Sequence, residues 1–302
     1  MGFAHKVHSY GVLGTWYGEI PNGCRYCIKG SKSVIFVSGT CGVDCFYCPI
    51  SFERRKPNAF YVDEERFATM VDIVDEIVFI KAEGASITGG EPFQVYYIVA
   101  NIIKILKDVF GEKFHIHLYS SGFGTTKEAI KYLASLGLDE IRFHIVDRSI
   151  MRLVEFTVRE TNMDVGIEVP ALLDFDWLWR IVIDAEKSGA KFVNINELEV
   201  SETNVEDILI RGFKLSDDGR SVRGSAEVAK KVIEKAFQEN LNISVHFCSA
   251  LYKDVIQYRN RLKRKSWICS QPTDKLNDDG TIRRGERDIV PLIHLCSNYI
   301  KI

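Results

Sequence analysis

Neither sign of charge dominates this chain: 39 Lys and Arg stand against 41 Asp and Glu, a formal charge of −2 over 302 residues. That balance excludes a whole-molecule attraction to nucleic acid or to an acidic membrane, so any such binding needs a local patch. Long apolar runs are missing as well. The stretch IVANIIKIL is broken by Asn101 and Lys104, well short of the roughly 20 apolar residues of a spanning helix. The opening MGFAHKVHSYGVLG has neither the apolar core of a signal peptide nor the hydroxyl residue of a myristoylation motif. These absences predict a cytoplasmic protein without a membrane partner. Its 46% hydrophobic content is enough to bury a large core in one or two domains.

Cysteine is what the chain does have, at positions 24, 27, 41, 45, 48, 248, 269 and 296. In a reducing compartment these thiols are expected to stay reduced, and tight Cys-x2-Cys spacing reads as metal binding or redox catalysis before structural disulfides. The stretch SGTCGVDCFYCPIS places Cys41, Cys45 and Cys48 within eight residues. Disulfides, a zinc knuckle and an iron–sulfur cluster compete for it.

Short apolar runs alternate with helical patterns along the chain. Strands are expected at SVIFVSG, ASITGG, FHIHLYS, EIRFHIV, DVGIEVP and FVNINELE, with a seventh at NISVHFCS. Helical spacing covers residues 63–81, 93–110, 126–136, 150–161, 175–187 and 226–240. Strand, crossover helix and strand, repeated about six times without a long linker, predicts a parallel sheet with helices outside. The strands alternate, whereas those of a doubly wound sheet are apolar on both faces. His115, His117 and Tyr119 oppose Ile116 and Leu118; Arg142 and His144 oppose Ile141 and Phe143; Gly166 and Glu168 oppose Val165 and Ile167; Asn194 and Asn196 oppose Val193 and Ile195. The expectation is an α/β open barrel, a partial (β/α)6 TIM-like barrel whose polar face lines a wet interior.

The three-cysteine loop then follows the first strand, on the C-terminal rim where barrels place their chemistry. Cys41-x3-Cys45-x2-Cys48, with Tyr47 before the last cysteine, resembles the cluster loop of radical S-adenosylmethionine (SAM) enzymes. TGGEP, ending the second strand at Pro92, resembles that superfamily's Gly-Gly-Glu motif. Three thiolates leave one iron of a [4Fe-4S] cluster open, whereas structural zinc wants a fourth ligand.

The resemblance covers roughly residues 33–199 and is best to compact proteins related to pyruvate formate-lyase activating enzymes. It implies Cys41, Cys45 and Cys48 as cluster ligands, SAM as cofactor, and an electron donor such as flavodoxin or ferredoxin. It also implies reductive cleavage of SAM to a 5′-deoxyadenosyl radical that takes hydrogen from an RNA, peptide or protein. Gly89, Gly90 and Glu91 are assigned to the methionine amino group and Tyr47, through its backbone, to the adenine. Arg142, His144, Glu168, Asn194 and Asn196 are candidates for the rest of the SAM pocket or the substrate. The competing class is a non-catalytic zinc-binding or nucleic-acid-binding protein.

The whole of 1–302 reads as a single domain: an extension at 1–32 carrying Cys24-x2-Cys27, the barrel at 33–248, and a basic extension at 249–302. The cysteines beyond the barrel lack the dense arrangement of an auxiliary-cluster domain, which makes activation of a glycyl-radical enzyme a poor specific expectation. Residues 251–287 hold ten Lys or Arg against five Asp or Glu, which reads as a solvated helix face or an RNA contact. A second metal site, an iron–sulfur cluster or zinc, is expected from Cys24, Cys27 and Cys248, with Cys269 as fourth ligand or that position left open for substrate. It requires residues 25–36 to fold as a hairpin turning at Gly30 and Ser31.

Overall fold

A computed structural model describes residues 6–9, 11, 14–285 and 288–290; Cys296 lies outside them. Its strands are β1 (Val7–Ser9), β2 (Gly14–Tyr17), β3 (Lys32–Phe36), β4 (Tyr61–Val62), β5 (Glu65–Arg66), β6 (Gly84–Thr88), β7 (His115–Ser120), β8 (Glu140–Phe143), β9 (Asp164–Pro170), β10 (Phe192–Asn196) and β11 (Ser244–Cys248). They form one sheet in the order β1-β2-β11-β10-β9-β8-β7-β6-β3-β4-β5. The run from β3 to β11 is parallel throughout, and β2 and β4 flank it antiparallel. All seven expected strands are present. Residues of β3 and β11, at opposite ends of the parallel run, line one cavity, so the sheet curls into an open barrel of the expected α/β class.

Side-chain alternation builds this wall. Ile116, Leu118, Ile141, Phe143, Ile167, Val193, Ile195, Val245 and Phe247 are fully buried beneath the outer helices, while their strand neighbours point inward. The helices α2 (Met70–Phe79), α3 (Tyr96–Phe110), α4 (Lys127–Ser135), α5 (Met151–Glu160), α6 (Phe175–Lys187) and α8 (Ser225–Gln238) each bury one stripe, and the short α7 (Val205–Ile210) lies between the last two in sequence. In α6 the stripe is Leu178, Ile181, Val182 and Ala185, at the three- and four-residue spacing of a helix face. Starts are set by caps: Thr126 and Asp174 accept from the third residue onward, and Thr69 forms a capping box with Asp72.

That box corrects the first expected helix, which starts at Met70 rather than at residue 63. Asp63, at φ 54°, instead turns the β4–β5 hairpin and accepts hydrogen bonds from the Val34 N–H and the Ser33 hydroxyl. Residues 93–95 likewise form a short 3-10 turn before α3.

Both ends of the chain close the barrel. Helix α1 (Asn22–Ile28) sits against the floor, its Gly23 N–H 3.3 Å from Glu140 of β8. Residues 250–269 are continuously helical, from α9 (Ala250–Tyr252) through a π-helical stretch to α10 (Arg259–Cys269). Three of their bases turn onto the body of the protein instead of forming part of a solvated face. Arg261 pairs with Asp63 and Glu64, Lys265 with Glu76 at 2.9 Å, and Arg264 donates to the Ile80 carbonyl at 2.8 Å. This helix covers the open side between β11 and the β3 edge, leaving Arg259 and Lys263 exposed. Beyond it, β12 (Lys275–Leu276), β13 (Ile282–Arg284) and β14 (Asp288–Val290) make a small antiparallel sheet.

Candidate active site inside the barrel

The cysteine loop leaves β3 and is stitched to the segment that leaves β6. Gly90 N–H donates to the Ser38 carbonyl at 2.7 Å, Glu91 N–H to Thr40 at 2.8 Å, and the Gln94 amide to Cys41 at 2.7 Å. Here the glycines have a steric purpose. A Cβ at Gly89 would stand 2.6 Å from the Ser38 oxygen and one at Gly90 2.3 Å from that of Thr40, so only glycine lets the two loops touch. On the other side, Asn204 donates to the Tyr47 carbonyl at 3.0 Å and Thr203 to that of Cys48 at 3.3 Å.

Cys41, Cys45 and Cys48 are each half-buried on the wall of a cavity of about 550 Å³, together with Tyr47, Gly89, Gly90, Arg142, His144, Glu168 and Asn196. Burial raises the Cys41 and Cys45 thiols, and the neighbouring thiols add to the rise. Three sulfurs side by side at one mouth are the soft donor set of an iron–sulfur cluster. Among the described residues no three His, Cys, Asp or Glu side chains are arranged to hold a single ion. A cubane does not ask for that, since each thiolate takes its own iron.

Glu91 departs from its expected role. Its side chain is fully buried and both carboxylate oxygens are occupied: Oε1 accepts from Phe93 N–H at 3.1 Å and Ser120 Oγ at 2.9 Å, Oε2 from Ser121 N–H at 2.7 Å and Ser121 Oγ at 2.6 Å. It ties β6 to β7 from behind the cavity wall and presents no free oxygen for an ammonium.

Deeper in, the polar strand faces meet in one network. The Arg142 side chain is 2% exposed and lies 2.5 Å from Glu140 and 2.8 Å from Glu168, which also accepts from Asn194 at 3.1 Å and Asn196 at 2.8 Å. Burial pushes both carboxyls up, but the guanidinium, helped by His115 at Glu140 and by the two asparagines at Glu168, outweighs it and holds both at about 2. His144 bridges the Tyr47 hydroxyl at 2.9 Å and the Glu168 carbonyl at 3.0 Å, and burial lowers its pKa.

Below this network the cavity continues into a lower chamber of about 590 Å³. Thr88, Tyr119, Arg142, Glu168 and Asn196 belong to both halves, while Asn194, His246, Cys24, Cys27 and Cys248 line the lower one. Cys24, Cys27 and Cys248 share this chamber by a route different from the expected hairpin, because residues 22–28 are the helix α1, and they are not arranged to hold a single metal ion as the expected second site would require. Cys24 accepts from Asn194 at 3.3 Å and Cys248 from Gln257 at 3.5 Å. Cys269 is not brought there: it packs with Leu262 and Ile282 in a separate cluster, and it is disulfide-bonded where a reduced thiol was expected. Two lining residues escaped the sequence reading. Lys253 sits in the C-terminal helix beside Glu199, with no alternation to reveal it. Lys32 was legible, since extending the β3 alternation one residue back puts Lys32, Val34 and Phe36 on the inner face.

Comparison with known proteins agrees with this geometry. Residues 35–147 match the Radical SAM superfamily. A Methanocaldococcus jannaschii protein, provisionally named a glycyl-radical enzyme activating enzyme, is 35% identical over 280 residues, covering 89% of this chain and 74% of its own. Streptococcus suis SuiB bound to S-adenosylmethionine superposes with a TM-score of 0.51 at 13% identity, and SuiB bound to its precursor peptide SuiA with 0.50 at 14%. Each SuiB superposition covers 72% of this chain, which spans only 50% and 48% of those structures. The chain belongs to the radical SAM superfamily and is related to the pyruvate formate-lyase activating enzymes. It is therefore an enzyme, of a family whose cofactors are a [4Fe-4S] cluster and SAM, and the non-catalytic zinc or nucleic-acid reading is not favoured. No helix among the described residues is long and apolar enough to cross a membrane.

Proposed function

We propose that Cys41, Cys45 and Cys48 hold a [4Fe-4S] cluster and that SAM occupies the upper half of the barrel cavity beside Gly89 and Gly90. With both bound, the cluster held by Cys41, Cys45 and Cys48 would supply the electron for reductive cleavage of SAM to methionine and a 5′-deoxyadenosyl radical, the hydrogen-abstracting species for the substrate. The observation that carries this reading is the three-thiol wall facing a cavity of about 550 Å³, a size suited to a small cofactor. The chain's own contribution is placement. Gly89 and Gly90 bring backbone polar groups to the cavity while packing on the cysteine loop, and Arg142, with Glu168 and Asn196, supplies a preorganised polar floor. Glu91 acts indirectly, by fixing the β6 and β7 ends that carry these groups.

The test is anaerobic reconstitution with iron and sulfide, reduction, and assay of 5′-deoxyadenosine from SAM. The expected result is a brown protein that forms 5′-deoxyadenosine, and a Cys41/Cys45/Cys48 triple alanine variant that forms none. A triple variant that cleaves SAM at the original rate overturns the assignment.

A further inference from the structure

The lower chamber is built around a charge it does not neutralise. Lys32 is 7% exposed, lines this chamber, and makes no ion pair among the described residues; its only hydrogen-bond partner is His117 Nε2 at 3.5 Å. That imidazole is no counter-ion in either protonation state, and burial, with the charges of Lys32 and Arg142, drives its pKa well below the usual value. Three other chamber cations are paired: Arg142 with Glu140 and Glu168, Lys253 with Glu199, Arg261 with Asp63 and Glu64; the half-buried Arg54 at the rim meets no carboxylate among the described residues, but donates to the Asp63 carbonyl at 2.9 Å and lies over the Tyr61 ring. Arg142 still keeps one buried nitrogen, Nη2, without a partner. Burying an ammonium without a counter-ion is unfavourable, and a cavity beside it is where an anion would remove that cost.

Shape restricts what the anion belongs to. Helix α1 stands at the floor, where Gly23 is so close to Arg142 and His117 that a Cβ would lie 2.6 Å from each. The 250–269 helix covers the side, with Asn260 on the Ile28 carbonyl at 2.9 Å and Arg261 on Asp63 at 3.3 Å. About 590 Å³ suits a small molecule. We propose that the lower chamber is a substrate pocket for a small anionic molecule, a carboxylate or a phosphate, with the Lys32 ammonium as its counter-ion. The inference rests on the reading that radical chemistry takes place in the upper half, directly above. Asn194 and His246, joined at 3.3 Å, and Gln257 add polar groups to the lining, whose carboxylates Glu199 and Asp254 are paired with Lys253 and Arg220.

Cys24, in the same chamber, reports on the pocket without any need for SAM cleavage. Trypsin separates Cys24 from Cys27 by cutting after Arg25, so mass spectrometry follows each thiol alone. The reconstituted protein is alkylated with anionic iodoacetate or neutral iodoacetamide. An isolated thiolate repels the anionic reagent; a chamber with an unpaired cation concentrates it. The iodoacetate-to-iodoacetamide rate ratio at Cys24 should be about tenfold higher in the native protein than in the urea-unfolded chain, the size of a charge-assisted contact. Lys32→Gln should abolish that preference and Lys32→Arg keep it, while an unchanged iodoacetamide rate shows that each variant is folded.

Succinate and inorganic phosphate, as competing probes, should slow the reaction, and whichever slows it more names the anion class. A native ratio equal to the unfolded one, a preference that survives Lys32→Gln in a folded variant, or competition by neither probe overturns the proposal. The last outcome would return a peptide or RNA substrate to first place. Should Lys32→Gln not fold, Lys32→Arg and the competition decide alone. Failure of 5′-deoxyadenosine formation with an intact Cys24 ratio would sink the cofactor assignment and leave the anion pocket standing.

Discussion

Two Cys-x2-Cys pairs in this chain share a spacing and little else. Cys45 and Cys48 lie on an irregular loop, half-buried at a cavity mouth, whereas Cys24 and Cys27 lie on helix α1 at the barrel floor. The difference comes from the neighbours. Around the loop pair, Gly89 and Gly90 carry no side chain, and the loop is held largely through its backbone, by Gly90, Glu91, Gln94, Thr203 and Asn204, with no cation paired to its sulfurs among the described residues. Around the helix pair stand hydrogen-bonding and charged side chains: Asn194 holds Cys24, and Arg142 and His246 pull its thiol down to about 7 against the rise from burial. Spacing thus brings sulfurs together, and the surroundings decide whether they suit a shared cluster or act as separate thiols.

The sharpest way to break the comparison is to remove each pair. A Cys24→Ala/Cys27→Ala double variant should retain the iron content and 5′-deoxyadenosine yield of the wild type, measured after reconstitution. The loop variants lose both completely. Equal iron loss from the two pairs would mean that they serve one cluster or two equivalent ones.

Next in size is Arg142→Met, which leaves Glu140 and Glu168 buried without their cation and should cost about 3–5 kcal/mol in urea unfolding at pH 7. The pH dependence follows in sign. Both carboxyls have folded-state values near 2, below the ~4.3 of an unfolded chain. Their stabilisation is complete above that unfolded value and is lost as pH falls toward 2. The stability gap between wild type and Arg142→Met should therefore narrow between about pH 4.5 and pH 2. A gap constant with pH would show that packing, and not the ion network, carries the difference.

The legible part of the molecule is whatever the backbone period writes directly. Alternation found all seven parallel strands and put Arg142, Glu168, Asn194 and Asn196 inward, because a sheet face is decided residue by residue. The illegible part depends on partners far away in sequence. Arg261 and Lys265 look like a solvated basic face until Glu64 and Glu76, 197 and 189 residues earlier, are placed beside them. Helix α1 was hidden because Gly30, at φ 66°, does turn the chain, but at the end of a helix and not within a hairpin. Glu91 sits in the motif that identifies the family, yet its four donors come from Phe93, Ser120 and Ser121, and only Phe93 is near enough in sequence to be foreseen.

Glu91 yields a smaller, local effect. Glu91→Gln replaces an acceptor-only carboxylate by an amide whose NH₂ group meets donors already pointing at it. A loss of about 1–3 kcal/mol is expected in urea unfolding, with iron content unchanged because no sulfur is removed. An unchanged stability joined to a large loss of SAM affinity would instead place the carboxylate on the cofactor.

The smallest effect is a difference in titration within the helix pair. Cys24 is lowered to about 7, since the Arg142 charge and the His246 contact outweigh burial. Cys27 is raised, because burial dominates there. A thiolate is the reactive form, so the iodoacetamide rate at Cys24 should rise with a midpoint near pH 7 and level off by about pH 8, where Cys27 is still unreactive. Arg142→Met should move the Cys24 midpoint upward, because burial then acts without the guanidinium opposing it. Parallel profiles for the two cysteines would show that the charged network does not reach the floor of the barrel, and the contrast between the two sulfur pairs would then reduce to backbone geometry alone.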